Sequence, residues 1–120
     1  LIGATTRPLE DWVKEIHGLG GLAIASHVDR ESFSIIGQLG FIPPDLRLDA
    51  LEVSARTGIP EARKEFPELY RMPFITSSDA HFVHDIGKAF TLIRMREASL
   101  GELKMAFAGL EGRMVLEQGA

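Results

Sequence analysis

Apolar positions along the chain follow helical spacing in some segments and extended spacing in others. Over residues 9–16 they recur at intervals of three and four, which places them on one face of a helix. Pro8 fits the first turn of this helix, and either Thr5 or Thr6 is predicted to be its N-cap. Gly18 is the first of three glycines that end it. The pattern therefore predicts an amphipathic helix close to the start of the chain.

Short apolar runs alternate with further helical patterns. Such runs are typical of strands buried on both faces of a parallel sheet. The predicted strands cover residues 22–26, 49–54, 73–78, 89–95 and 114–116. Further helices are predicted over residues 31–39, over residues 60–67, and from Ser99, which forms a capping box with Glu102, to Gly112. We expect one structural unit over residues 1–120, of the α/β class, with mostly parallel strands and crossover helices.

The composition is that of one folded domain or part of a larger one, with 45% hydrophobic and 25% charged residues among 120. No apolar run approaches the ~20 residues that span a bilayer, and no signal peptide is recognisable, so we expect a cytoplasmic protein without a membrane partner. Cysteine is absent, so any metal must be held by nitrogen and oxygen. The net charge of −4 disfavours long nucleic acid but permits a local basic patch.

Three predicted strands end beside side chains that can bind metal. The first leads into His27, the second carries Glu52, and the third leads into Asp79 and His81. The carboxyl ends of parallel strands meet at one edge of a sheet, so these side chains should gather there. On extended backbone Asp79 and His81 would point the same way, and their carboxylate and imidazole groups suit Zn(II), Mn(II) or Fe(II). The alternatives are an ordinary polar turn at residues 79–81 and a hydrogen-bonded structural His27.

Other residues near these strand ends have less defined roles. His84 is a candidate fourth ligand or a solvent-facing loop residue. Glu52 is either an inward-facing acid or the ion-pair partner of Arg56. Arg30 and Arg56 could each orient a phosphate through a bidentate fork, or could be rim charges. His17 is predicted to favour the C-terminus of the first helix as a cation. No catalytic acid, base or nucleophile is assigned.

Several of these segments resemble motifs of PHP-domain proteins, the polymerase and histidinol phosphatase superfamily. GGLAIASHVDR, residues 20–30, resembles the segment in which a Gly-Gly stop and an apolar strand lead to a metal-binding histidine. LEVS at 51–54 looks like the next family strand, and SSDAH at 77–81 is similar to the closing motif. The resemblance covers roughly residues 8–95. It implies that His27, Asp79 and His81 are metal ligands, and it matches Glu52 to a commonly acidic position.

The resemblance implies a distorted (β/α)7 barrel, up to three metal ions at the carboxyl ends of its strands, and hydrolysis of phosphoesters by metal-activated water. The chain lacks the His-x-His motif of the family's amino-terminal half and begins at Leu1. We therefore expect the carboxyl-terminal portion of a PHP-type phosphoesterase: a partial barrel with an incomplete divalent-metal site, inactive by itself. Exposed strand edges, at residues 22–26 or a neighbour, would favour self-association. The complete protein would act on a phosphorylated small molecule or a nucleotide.

Two alternatives stay open. The chain could be a catalytically degenerate PHP-like module that serves as a scaffold, including the kind attached to DNA polymerases. It could also be an unrelated α/β domain in which the Asp-Ala-His triplet at 79–81 is incidental.

Overall fold

A computed structural model describes residues 3–117. In chain order its helices and strands are α1 (Leu9–Gly18), β1 (Ile24–Ala25), α2 (Ile35–Leu39), β2 (Ala50–Glu52), α3 (Ile59–Glu65), β3 (Phe74–Ile75), β4 (Leu92–Arg94), α4 (Leu100–Ala108) and β5 (Met114–Leu116). Short 3₁₀ turns occupy Pro67–Leu69 and Val83–Asp85. Within these residues no helix combines the length and the apolar character needed to cross a membrane.

The first three strands form a parallel sheet in the order β1-β2-β3. Leu51 of β2 lies opposite Ala25 of β1 and Phe74 of β3. The protein is therefore a small α/β structure with a three-stranded parallel sheet, and β1 lies at the predicted sheet edge. β4 and β5 depart from the parallel pattern, because they pair antiparallel as a separate two-stranded sheet on which α4 packs.

The core of the parallel sheet is formed by side chains that the apolar runs predict to be buried. Leu51, Val53 and Phe74 are fully excluded from solvent, and Ala62 of α3 packs against them. Since β2 is the central strand, both of its faces are covered, which explains why Ala50 and Leu51 are buried although they are neighbours.

The amino-terminal helices differ from prediction at their starts. Pro8, rather than a threonine, is the N-cap of α1, and no side chain of the described residues caps it. The Thr5 hydroxyl instead donates to the Arg7 carbonyl at 2.9 Å and accepts from Trp12 Nε1 at 3.1 Å. The second helix begins late, because extended Ser34 caps it by accepting from the Gly37 amide at 2.9 Å.

The capping box predicted at the start of α4 is only partly present, and the helix ends earlier than predicted. Ser99 Oγ accepts from the Glu102 amide at 3.2 Å, but the Glu102 carboxylate does not complete the capping box. It accepts instead from the Arg96 amide at 2.8 Å and from Arg113. The helix ends at Gly109, whose φ of 66° forms a left-handed C-cap, so the predicted end at Gly112 is wrong.

Candidate functional site

The segments that follow the three parallel strands meet at one edge of the sheet. Hydrogen bonds from the Val28 amide to the Glu52 carbonyl, 2.8 Å, and from the Val53 amide to the Ile75 carbonyl, 2.9 Å, continue the pairing beyond the strands. Farther out, Arg30 Nη1 lies 3.0 Å from Asp79 Oδ2 and joins the segment after β1 to that after β3. This edge is where the sequence places the candidate chemistry.

His27 and Asp79 both lie on left-handed backbone, with φ of 23° and 47°. The expectation that residues 79–81 continue an extended strand is therefore wrong. β3 ends at Ile75, and the chain turns before Asp79 because Ser78 is tied to the segment at 87–89. Positive φ is uncommon outside glycine, although Asp and His tolerate it better than most residues. Strained backbone of this kind is found disproportionately at functional sites.

The two candidate imidazole ligands have different surroundings. His81 Nδ1 lies 2.7 Å from the Asp79 carbonyl oxygen. Since a carbonyl only accepts, Nδ1 is the donor, and the neutral form of this ring has its lone pair on Nε2. Backbone hydrogen bonds of this type orient histidines that bind metals. His27 Nδ1 is buried and has no hydrogen-bond partner within residues 3–117.

The donor set formed by His27, Asp79 and His81 suits a first-row divalent ion, because it combines imidazole nitrogens with a carboxylate. Among residues 3–117, however, no three histidine, aspartate or glutamate side chains are grouped so that they could hold one ion. Asp79 has its carboxylate engaged by Arg30. The structure thus brings Asp79 beside Arg30 and orients His81, while the role of these three residues as metal ligands stays a prediction.

Glu52 and His84, the additional candidates, have other partners. Glu52 Oε1 accepts from the Ser77 hydroxyl at 2.6 Å, and no ion pair with Arg56 is present within the described residues, so that alternative is wrong. His84 is exposed, stacks on Phe82 with ring centroids 5.6 Å apart, and lies 3.5 Å from Asp85. Neither contact gives His84 a role as a ligand.

Both candidate phosphate-binding arginines line one cavity. Its volume is about 510 Å³, and we call it the arginine cavity. It lies between the segments that follow β1 and β2, and its lining residues are Asp29, Arg30, Glu31, Ser32, Ser54, Arg56 and Thr57. Arg30 reaches Asp79 from this cavity, whereas Arg56 forms no salt bridge within the part of the chain that the structure describes.

Asp29 holds the floor of the arginine cavity together, and this role was not predicted. Its Oδ1 accepts from the Ser54 amide at 2.7 Å, and its Oδ2 accepts from Thr57 Oγ1 at 2.7 Å and from Ser54 Oγ. Partial burial opposes ionisation, but these hydrogen bonds outweigh it and lower the pKa of the Asp29 carboxyl. Its position two residues after a candidate ligand was the one signal available in the sequence.

His17 is a structural residue on the amino-terminal side of the parallel strands, away from this edge. Its Nε2 lies 2.8 Å from Asp49 Oδ2, which also accepts from the Ala23 amide at 2.7 Å. The pair ties the end of α1 to the segments that precede β1 and β2. The prediction of a histidine acting on the helix terminus omitted this partner, which is 32 residues away in sequence.

Comparison with known proteins gives three findings. A sequence model of the family described as PHP-associated matches residues 63–108. The uncharacterized protein YqxK of Bacillus subtilis strain 168 is 26% identical over 108 residues, which are 86% of this chain and 28% of that protein. The crystal structure of the novel lesion-specific endonuclease PfuEndoQ from Pyrococcus furiosus matches with a TM-score of 0.75 at 20% identity, over 88% of this chain and 28% of the endonuclease.

This chain thus spans somewhat more than a quarter of the length of each protein it matches. The likeness to the endonuclease at 20% identity shows a shared fold. The family match lies in the later part of the chain and ends before β5.

Proposed function

Because the family match and the shared fold support a carboxyl-terminal part of a PHP-domain protein, we propose that this chain supplies one side of a metal-dependent phosphoesterase site. In this proposal His27, Asp79 and His81 are metal ligands, and Arg30 and Arg56 bind the substrate phosphate. The three-stranded parallel sheet would be one part of a larger barrel of the (β/α)7 type. The complete protein would hydrolyse a phosphate ester.

The observation that carries the proposal is the arginine cavity and its link to Asp79. Arg30 and Arg56 line the same cavity, and Arg30 also contacts Asp79 at 3.0 Å. A phosphate held by both guanidinium groups would therefore lie close to a candidate metal ligand. Arginine is well suited to this role because its planar fork donates two parallel hydrogen bonds to phosphate oxygens.

The residues would divide the chemistry as follows. A bound divalent metal lowers the pKa of water and neutralises charge on phosphoryl oxygens. Arg30 and Arg56 would orient the ester and offset the negative charge that develops on its oxygens. The Asp79 carbonyl would hold His81 with Nε2 free to bind. Asp29 would fix the position of Ser54 and Thr57, and thereby of the loop that carries Arg56.

The matched endonuclease is named for acting on nucleic acid, which supports a phosphoester bond as the target. Within residues 3–117 no three histidine, aspartate or glutamate side chains are grouped to hold one ion, and inactivity of this chain alone stays an expectation. The same observation favours the second candidate function, a degenerate PHP-like scaffold. Metal binding distinguishes the two, since a scaffold needs no ligand at Asp79.

Isothermal titration of the purified chain with Mn(II) tests the proposal. We expect weak, saturable binding that is lost in Asp79→Asn and in His81→Ala. Asp45→Asn is the matched control, because Asp45 is exposed and forms no salt bridge within the described residues. Binding that persists in both site variants, or that is absent from the parent chain, would favour the scaffold.

A phosphatase assay with a generic phosphoester and Mn(II) or Zn(II) tests the expected inactivity. Little or no turnover is expected from this chain alone. Robust turnover that Asp79→Ala abolishes would contradict the idea that further ligands are required.

A further inference from the structure

A second cavity lies on the other side of the loop that carries Arg56. Its volume is about 300 Å³, and it lies between the segments that follow β2 and β3. Ile59 and Pro60 form part of one wall, and Thr76, Ala89 and Phe90 form part of the other. We call it the Phe90 cavity. Its lining is largely apolar, as is usual for sites that take the organic part of a small ligand.

The two cavities adjoin each other because one loop separates them. Arg56 and Thr57 line the arginine cavity, while Ala55 and Gly58 line the Phe90 cavity. Each cavity is thus lined by residues that are next in sequence to residues lining the other. One small molecule could therefore place a charged group in the first cavity and an apolar group in the second.

Phe90 presents an aromatic ring that the rest of the described chain leaves uncovered. Its exposed fraction is 56%, and it stacks on no other aromatic ring within residues 3–117. An exposed ring at the mouth of a concave site is a typical stacking surface for a flat ligand.

The backbone on both sides of Phe90 is held firmly. Ser78 Oγ accepts from the Ala89 amide at 3.2 Å and donates to the Ala89 carbonyl at 3.0 Å. Thr91 Oγ1 accepts from the Thr76 amide at 2.8 Å and donates to the Thr76 carbonyl at 2.7 Å. The ring thus projects from a preorganised segment, which reduces the entropy lost when a ligand binds.

Cationic side chains line both cavities, although the chain as a whole carries a net charge of −4 and the acids Asp29 and Glu31 also line the first cavity. Arg30 and Arg56 line the first cavity, and Lys88 lines the second. Lys88 also contacts Asp85 at 2.8 Å, which fixes its position at the cavity wall. A ligand that combines phosphate with a flat aromatic ring matches this arrangement better than a phosphorylated sugar does.

We propose that the Phe90 cavity binds the base of a nucleotide whose phosphate occupies the arginine cavity. This inference rests on the proposed function, since it assigns the phosphate to Arg30 and Arg56, and it narrows the substrate class to nucleotidyl phosphoesters. Phe90 stacks on the base and sets this specificity. The nucleotide could be free or part of a single strand.

The test compares ligands that share the phosphate. Purified chain is titrated calorimetrically, without metal, with inorganic phosphate, ribose 5-phosphate and adenosine 5′-monophosphate. Stacking of one base contributes roughly 1–3 kcal/mol, so adenosine monophosphate should bind about tenfold more tightly than ribose 5-phosphate. A single-stranded oligodeoxynucleotide is titrated in parallel. Tighter binding of the oligomer than of the mononucleotide identifies a polynucleotide as the ligand, and equal or weaker binding identifies the free nucleotide.

Three variants connect the result to the cavity. Phe90→Ala should remove the advantage of adenosine monophosphate and leave ribose 5-phosphate unaffected, while Phe90→Tyr should keep it. Phe82→Ala is the matched control, since Phe82 is also exposed on the segment after β3 but does not line the Phe90 cavity. Thermal melting of each variant checks that it is folded.

The failure of this inference differs from the failure of the proposed function. If phosphate and ribose 5-phosphate bind with an affinity that Arg56→Gln lowers, but adenosine monophosphate gains nothing, the base site is refuted and the phosphate site stands. The base site is equally refuted if Phe90→Ala and Phe82→Ala behave alike. If no ligand binds, both proposals fall.

Discussion

Replacing Asp29 by asparagine should loosen the floor of the arginine cavity. In the parent chain the Asp29 carboxylate accepts three hydrogen bonds from Ser54 and Thr57, which join the segments after β1 and β2. Asparagine has nearly the same shape and can still accept from the Ser54 amide. It cannot accept from both hydroxyl groups at the other terminal atom, because an amide nitrogen is a donor. The substitution therefore removes charge and acceptors with little change in volume.

The expected loss follows from the number and type of these bonds. A hydrogen bond to a charged group contributes about 1.5–3 kcal/mol. Asp29 is only partly buried and the two hydroxyl groups can rotate to other acceptors, so the lower part of that range is appropriate for the set. We expect Asp29→Asn to lower the free energy of unfolding by about 2 kcal/mol, a large share of the 5–15 kcal/mol that is typical of small domains.

Urea unfolding at pH 7, followed by circular dichroism, measures this loss. The control is Asp45→Asn, an exposed aspartate that forms no salt bridge within residues 3–117. The folded state lowers the pKa of Asp29 below its usual value of 3.8, so its contribution is present above that pH and is lost as the pH falls below it. The difference in unfolding free energy between Asp29→Asn and the parent should therefore shrink as the pH falls below 3.8. If both variants lie within about 0.5 kcal/mol of the parent at pH 7, the network does not hold the cavity.

Three further changes test the remaining structure. The Arg113 guanidinium lowers the pKa of Glu102 from 4.5 to about 2, so the folded state excludes a proton that the unfolded chain binds, and stability should fall as the pH drops through this interval. Thermal melts should show the difference in stability between the parent and Glu102→Gln closing over the same interval. A constant difference would contradict the ion pair. Phe74→Ala should lower the free energy of unfolding in urea by about 3–5 kcal/mol, because Phe74 is fully buried and lies beneath the Arg63 guanidinium. A decrease below about 1 kcal/mol would contradict this packing. Ser99→Ala should cost about 1 kcal/mol by loss of the helix cap, whereas Ser99→Asp should restore stability.

The sequence predicted those parts of the fold that depend on local spacing. α1 and the start of α4 follow from apolar periodicity and from the Ser99 cap, and the first three strands follow from their apolar runs. The second helix came out too long, because the left-handed Phe33, with φ of 57°, and the extended Ser34 interrupt a pattern that looks continuously helical. Apolar periodicity carries no information about such single backbone reversals.

The location of the candidate site could be predicted from the sequence, but the contacts within it could not. Parallel strand ends correctly placed Arg30 and Asp79 at one edge, yet the pair they form joins residues far apart in sequence. The same holds for Asp29, whose partners Ser54 and Thr57 are 25 and 28 residues away. Spacing rules for extended backbone also failed at Asp79, because its φ of 47° is set by the anchored segment around it. Long-range polar contacts determine these details.

The left-handed backbone at His27 makes that position a compromise between stability and chemistry. A non-glycine residue in this conformation costs on the order of 1–3 kcal/mol, and His27 Nδ1 is also buried without a partner among residues 3–117. Glycine would relieve both penalties at once, apart from the packing lost with the ring. Random mutagenesis selected only for thermal resistance should therefore tend to replace His27, whereas selection that also demands ligand binding should retain it. Repeated loss of His27 from stabilised libraries would mark it as a residue kept for what it binds and not for how the chain folds.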